Sequence, residues 1–160
     1  MVMQEPVNIS SGSLVYEIDV QITGIVDFGM TLDEVLSGAV MPAAGARLDV
    51  SGARLDVSWE GAVTGALSGR IGGIDYLYVR PDGRIELHVH GIITTEDDAR
   101  ISFIAPGVAT LNDDGTARLC EYVTLHTGFE QYAWVNQKAL RAEGIVNLGT
   151  GHISVQVYAA

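Results

Sequence analysis

The chain has 160 residues, of which 48% are hydrophobic and 18% are charged, a composition typical of one globular domain with its own core. Its formal net charge of −11 opposes binding to nucleic acid and to anionic membranes, and we expect neither as a partner. Cys120 is the single cysteine and cannot form an internal disulfide. No run approaches the ~20 apolar residues of a membrane span, and residues 1–13 lack a signal-peptide pattern. We therefore expect a cytoplasmic protein.

A strand is predicted over residues 14–25, where apolar and polar side chains alternate. Its apolar positions are Leu14, Tyr16, Ile18, Val20 and Ile22. A short helix is expected next, because Thr31 and Glu34 have the spacing of a capping box and Gly38 is suited to end the helix. Residues 1–13 are expected to form a flexible or edge segment of the same domain.

An exact tandem repeat follows. Residues 45–51 read Gly-Ala-Arg-Leu-Asp-Val-Ser and recur without change as residues 52–58. Because seven is odd and the strand period is two, one continuous strand would turn the two copies to opposite faces. The repeat therefore predicts a hairpin or a looped insertion. It is either a lid made by duplication or a tolerated duplication in a surface loop, and loops accept insertions at low cost.

The central feature of the sequence is a predicted hairpin over residues 73–93. In its turn, Arg80-Pro81-Asp82-Gly83, the proline fixes φ and the Asp-Gly pair tolerates positive φ. On the returning strand, alternation places Leu87 and Val89 on one face. The other face carries three groups able to bind a metal ion or move a proton, which are Glu86, His88 and His90.

The remaining sequence predicts further short strands separated by turns. They are expected at residues 58–68, 100–105 and 117–125, and a closing hairpin at 138–146 and 152–158. Residues 128–137 have the spacing of a helical turn. The total of eight to ten strands with one or two short helices indicates an all-β chain. We predict a single closed antiparallel β-barrel, because closure removes the edges that such regular strands would expose.

Several segments of the sequence resemble the bacterial domain of unknown function 3237 family in their order and spacing. They are Trp59-Glu-Gly61, Gly72-Gly-Ile-Asp75, Arg80-Pro-Asp-Gly83, Tyr132-Ala-Trp-Val-Asn136 and Val157-Tyr158. The resemblance covers about residues 58–158. It implies a calycin-like barrel that associates into a homo-oligomer and has no generally assigned activity. The family commonly has an aspartate and an arginine where this sequence has His88 and His90.

Three interpretations of Glu86, His88 and His90 stay open. A histidine in a barrel mouth titrates near neutral pH and is able to transfer a proton, with Glu86 setting its tautomer. Two imidazoles at i and i+2 beside a carboxylate are also able to bind a metal ion. The third interpretation is the solvent-facing side of an amphipathic strand. The choice depends on which face of this strand lies inside the barrel.

Two further groups are candidates for binding a ligand. Tyr132, Trp134 and Asn136 either line the barrel mouth or form a short helix that plugs one barrel end. On the strand across the hairpin from the histidines, Asp75, Tyr76 and Tyr78 are candidates because the register brings the tyrosines near His88. Asp75 is either a base or a turn cap. Arg80 is expected to brace the turn.

The leading functional hypothesis is an enzyme without a cofactor that acts on a small molecule inside the barrel. It would be an isomerase, cyclase or lyase that works by proton transfer, with His88 or His90 as acid and base. No nucleophile elbow, phosphate loop or dinucleotide fingerprint is present, so we expect no cofactor. One alternative is a lipocalin-like protein that binds a small hydrophobic metabolite without converting it. Another is a metal-dependent enzyme that uses Glu86, His88 and His90.

Overall fold

The computed structural model of the chain describes residues 9–36 and 52–160, whose strands form one closed antiparallel barrel. Each strand pairs with the next along the chain, and the last pairs with the first. The strands are β1 (Leu14–Asp27), β2 (Ala53–Gly65), β3 (Gly69–Val79), β4 (Ile85–Thr95), β5 (Arg100–Leu111), β6 (Thr116–His126), β7 (Leu140–Asn147) and β8 (His152–Ala159). The predicted all-β class and closed barrel are confirmed.

Side-chain alternation along each strand separates the barrel interior from its surface. The interior of an eight-stranded barrel is just wide enough for side chains to fill, so the apolar face of each strand turns inward. The buried apolar residues form two clusters. The lower cluster surrounds Trp59 and Phe103, and the upper cluster surrounds Leu55 and Leu87. We call the corresponding halves of the barrel its lower and upper ends.

A short helix lies at each end of the barrel. At the upper end, α1 (Leu32–Leu36) follows β1, and Val35 packs in the upper cluster. Its predicted capping box is present: the Glu34 amide donates to Thr31 Oγ1 at 3.2 Å, and the Thr31 amide donates to Glu34 Oε1 at 3.3 Å. At the lower end, a 3₁₀ helix (Glu130–Gln137) connects β6 to β7 and buries Val135. Neither helix of the described chain is long and apolar enough to cross a membrane.

The repeat is only partly covered by the described residues. Its second copy, residues 52–58, begins at Gly52 and continues as the first half of β2, where Leu55 is fully buried. The first copy, the expected helix stop at Gly38 and residues 1–8 lie outside the described residues.

Candidate active site

The structure places His88 and His90 on the outer surface of the barrel, which matches the solvent-facing interpretation and not the enclosed position that the leading hypothesis requires. Both are exposed, and the His88 side chain retains 50% of its accessible surface. Leu87 and Val89 are the buried residues of this segment. The physical reason is the narrow interior, which accepts the apolar face of β4 and leaves the polar face in solvent.

On this outer surface the neighbours of the histidines belong to a charged and aromatic cluster. Glu86 Oε2 lies 3.7 Å from His88 Nε2, and Glu86 Oε1 lies 3.6 Å from Arg80 Nη1. The Tyr76 ring meets His90 edge-on with 5.7 Å between centroids, and Tyr78 pairs with Glu86 across the strands. The predicted proximity of the tyrosines to the histidine strand is therefore present, but it lies outside the barrel.

Arg80 braces the β3–β4 turn as expected, since its Nη2 lies 3.0 Å from Asp82 Oδ2. The metal interpretation lacks a suitable cluster: within residues 9–36 and 52–160, no group of three or more His, Cys, Asp or Glu side chains is arranged to hold a metal ion. Glu86, His88 and His90 accordingly do not form the ligand set that a metal-dependent enzyme would need.

Tyr132, Trp134 and Asn136 hold the 3₁₀ helix against the lower end of the barrel. The Thr127 amide donates to Asn136 Oδ1 at 2.8 Å, and Asn136 Nδ2 donates to the Thr127 carbonyl at 2.9 Å. Tyr132 donates its hydroxyl to Asp97 Oδ1 at 2.8 Å, and Trp134 packs against the lower cluster. These contacts match the interpretation of a plug at one barrel end.

Asp75 is the one predicted site residue that the structure places inside the barrel. Its carboxylate accepts a 2.9 Å hydrogen bond from the His88 amide, at an interruption of the β3–β4 ladder between the Asp75–Val89 and Tyr78–Glu86 pairs. Burial raises the pKa of Asp75 to about 6, although the His88 amide and ring act in the opposite direction. At neutral pH, Asp75 is therefore mostly ionised yet basic for a carboxylate.

Glu121 is a second interior carboxyl group, on β6. It is 7% exposed, and burial together with the negative charge of Asp75 raises its pKa to about 8. Glu121 makes no side-chain hydrogen bond to the described residues. Among these residues, every buried side-chain nitrogen or oxygen atom that has no accessible surface has a hydrogen-bond partner. The carboxyl oxygens of Glu121 must therefore contact open space inside the barrel, and the group is mostly protonated at neutral pH.

A third polar group, the Tyr16 hydroxyl, belongs to the same interior. Tyr16 is 1% exposed, and burial followed by the proximity of Glu121 raises its pKa above the ordinary range. The hydroxyl therefore stays protonated at all physiological pH values and is a hydrogen-bond donor.

Asp75 and Glu121 line one interior cavity of about 60 Å³, the lower cavity, whose apolar walls include Trp59 and Phe103. Asp75 also lies at the edge of a second cavity of about 100 Å³, the upper cavity, which is bordered by the upper cluster and α1. Asp75 thus borders both cavities.

The signal for Glu121 is present in the sequence but was missed. Along β6, the inward positions are Ala117, Leu119, Glu121, Val123 and Leu125, so one acidic residue interrupts an otherwise apolar series. A carboxyl group at an interior position is costly unless its pKa shifts or it finds a partner, which marks it as a candidate for function. His88 and His90 are closely spaced in the sequence, but they occupy the polar face of their strand.

The two interior carboxyl groups, Asp75 and Glu121, lose their protons in different pH ranges. Asp75 loses its proton first, and its charge then opposes the loss of the proton from Glu121. Near neutral pH, one carboxylate is able to accept a proton and one carboxylic acid is able to donate a proton in the same cavity. Two such groups with well-separated pKa values are the usual basis of acid and base assignments.

The fold and this site define a closed eight-stranded barrel with a pair of carboxyl groups in its interior. Residues 51–160 match the family described as "Protein of unknown function (DUF3237)", and the chain belongs to that family. Among curated proteins, none matches the chain.

Solved structures share the fold at low sequence identity. A protein of unknown function from Clostridium acetobutylicum ATCC 824 is 21% identical with a TM-score of 0.73, and the match covers 93% of this chain and 97% of that one. A β-barrel-like protein from Acinetobacter baumannii AYE is 18% identical with a TM-score of 0.69, covering 95% and 98%. A structure described as an enzyme from Penicillium herquei is 15% identical with a TM-score of 0.57, covering 98% and 99%.

Proposed function

We propose that this protein is an enzyme that catalyses proton transfer on a small molecule bound inside the barrel, as an isomerase, cyclase or lyase. Asp75 is the general base and Glu121 is the general acid. The observation that carries the proposal is that Asp75 and Glu121 line one small, mostly apolar cavity, where burial raises the pKa of both carboxyl groups.

In the proposed cycle, the Asp75 carboxylate accepts a proton from a carbon or oxygen atom of the substrate. Glu121 donates its proton to a second atom of the substrate. Asp75 ends protonated and Glu121 ends ionised, so return of the proton from Asp75 to Glu121 restores the starting state. The reaction requires no change of oxidation state and no added group.

Two features of the cavity favour this chemistry. The walls formed by Trp59, Phe103 and their neighbours are mostly apolar, and an apolar environment strengthens hydrogen bonds to developing charge. The His88 amide holds the Asp75 carboxylate in place through backbone that is fixed by the sheet. The similar barrel from Penicillium herquei is described as an enzyme, although a shared fold does not determine a shared reaction.

The test is deuterium exchange in D2O with a panel of neutral ketones, followed by NMR and mass spectrometry. Asp75→Asn and Glu121→Gln should each lower the rate of exchange by about 10²- to 10⁴-fold, the usual contribution of a general acid or base. The matched controls Asp113→Asn and Glu17→Gln replace exposed carboxylates and should exchange at the wild-type rate. Equal rates in the interior variants and the controls would remove Asp75 and Glu121 from the mechanism.

The apolar upper cavity favours a second candidate, a binding protein that carries a small hydrophobic molecule without converting it. In that case a ligand raises the melting temperature of the protein, but neither deuterium exchange nor any product appears. Asp75→Asn would then change affinity alone.

A further inference from the structure

The upper cavity is almost entirely apolar and reaches the protein surface. Of the seventeen side chains that line it, sixteen are apolar, and Asp75 is the exception. Two lining residues, Ile25 and Leu111, are 40% and 45% exposed, so among the described residues the cavity opens near the ends of β1 and β5. A ligand is therefore able to enter at the upper end without passing the plug at the lower end.

The upper and lower cavities share part of their lining. Asp75 and Leu119 border both of them, and Glu121 lies in the lower one. A ligand that fills the upper cavity with hydrocarbon therefore contacts Asp75 at the border shared with the lower cavity, where Glu121 lies. An oxygen atom at that position would accept a hydrogen bond from protonated Glu121.

The charges around the two cavities disfavour the binding of an anion. No lysine, arginine or histidine side chain of the described residues lines either cavity, and Asp75, which borders both, supplies a negative charge. A carboxylate or phosphate would be buried without a positive partner and next to a like charge, which is strongly unfavourable. A neutral oxygen avoids both costs.

The cavity volumes limit the size of the occupant. The upper and lower cavities hold about 100 Å³ and about 60 Å³. An engineered apolar cavity of about 150 Å³ is known to bind benzene, so the two cavities together hold about six or seven non-hydrogen atoms. Any larger part of a ligand must project through the opening at Ile25 and Leu111.

We infer that the site binds a neutral molecule with a hydrocarbon chain and one oxygen atom, such as a short ketone. Its chain lies in the upper cavity and its oxygen atom faces Glu121. Naming this compound as the substrate rests on the proposed function, whereas its binding does not. The site excludes carboxylates and phosphates of the same chain length.

The test compares binding of 2-hexanone and hexanoate, which have equal chain lengths, at neutral pH. Methyl NMR spectra of Leu- and Val-labelled protein report on the lining residues Val57, Leu87 and Leu119, with exposed Leu14 at the lower end as an internal control. We expect 2-hexanone to shift the lining signals in a saturable way. Hexanoate should bind at least about tenfold more weakly, because its charge is buried beside Asp75.

Variants that fill the cavity locate the binding site. Ala109→Leu adds bulk to the upper cavity and should weaken binding of 2-hexanone, whereas Ala62→Leu makes the same change on the exposed face of β2 and should not. Ala117→Val is a gentler filling variant that should also weaken binding, and it serves if Ala109→Leu does not fold. The inference is overturned if hexanoate binds as tightly as 2-hexanone, if neither binds, or if a folded filling variant binds like the wild type.

The same samples separate this inference from the proposed function. Binding of 2-hexanone without deuterium exchange in D2O supports the ligand class and counts against proton transfer. Exchange of ketones without saturable shifts at the lining methyl groups supports proton transfer and overturns the assignment of the upper cavity.

Discussion

The carboxylate of Asp75 accepts a hydrogen bond from the backbone amide of His88 at 2.9 Å. The contact joins two residues that the sequence marked as candidates, but it uses the main chain of the histidine, and the ring lies in solvent. Residue 88 therefore supports the interior carboxylate through the sheet, whatever side chain it carries.

This relationship predicts that the His88→Gln and His90→Gln variants retain the proposed proton-transfer activity, measured as deuterium exchange. The His88 ring lowers the pKa of Asp75, so its removal should raise that pKa by a small amount. The resulting change in the rate of deuterium exchange should stay below about tenfold, the factor that one pKa unit produces. Carbon-detected NMR titration of the Asp75 carboxyl group measures the pKa. A loss of exchange as large as that in Asp75→Asn would return the histidines to the mechanism.

The free energy of unfolding should depend on pH because the pKa of Glu121 is raised in the folded protein. Its pKa in the folded protein, about 8, lies above the ordinary 4.5, so the folded state binds this proton more tightly than the unfolded state. The stabilisation is complete below pH 4.5 and is lost as the pH rises to 8. At 1.36 kcal/mol per pKa unit, the loss amounts to up to about 5 kcal/mol.

Glu121→Gln should remove this dependence and gain stability relative to the wild type above pH 8. Urea denaturation at pH values on both sides of this range measures the difference. Glu17→Gln, which changes an exposed carboxylate, should keep the wild-type dependence. Asp75 contributes in the same direction between pH 3.8 and about 6, so a residual slope there is expected. An unchanged slope between pH 6 and 8 in Glu121→Gln would show that Glu121 titrates normally.

Asn136→Ala should destabilise the protein without weakening ligand binding. The amide of Asn136 satisfies both backbone polar groups of Thr127, which is 4% exposed. Leaving buried groups unpaired costs about 1–3 kcal/mol each, so the urea midpoint should fall clearly. Gln137→Ala, at the exposed neighbouring position, should have little effect on stability. Weaker binding of 2-hexanone by a folded Asn136→Ala protein would instead favour the predicted role of Asn136 in ligand contact.

Two adjacent glycines on β3 should respond differently to the addition of one methyl group. A Cβ at Gly73 would lie 2.3 Å from the His90 carbonyl oxygen and 3.0 Å from the Trp59 ring, whereas a Cβ at Gly72 meets nothing closer than 3.6 Å. Gly73→Ala should therefore lower the free energy of unfolding by about 1–3 kcal/mol, as overpacking does. Gly72→Ala should be close to neutral. Thermal denaturation of both variants measures the two changes in stability. Equal effects would contradict the tight packing at Gly73.

Local chemistry determined much of the architecture from the sequence alone. The alternation from Leu14 onward predicted β1, and Thr31 with Glu34 predicted the start of α1, because both signals depend on neighbours within a few residues. The Arg80–Gly83 turn was predicted for the same reason. Barrel closure followed from the number and regularity of the strands and from the need to pair their edges.

The site depended on information that alternation does not contain. A period of two shows that Leu87 and His88 point to opposite faces of β4, but it does not show which face is inside. Closure of the barrel decided this, since it buries one face of every strand and burial favours the apolar face. It also brought Asp75 of β3 and Glu121 of β6 to one cavity, although they lie far apart in the chain and on strands that do not pair. Their shifted pKa values arise from that burial and that proximity, so they are properties of the folded molecule alone.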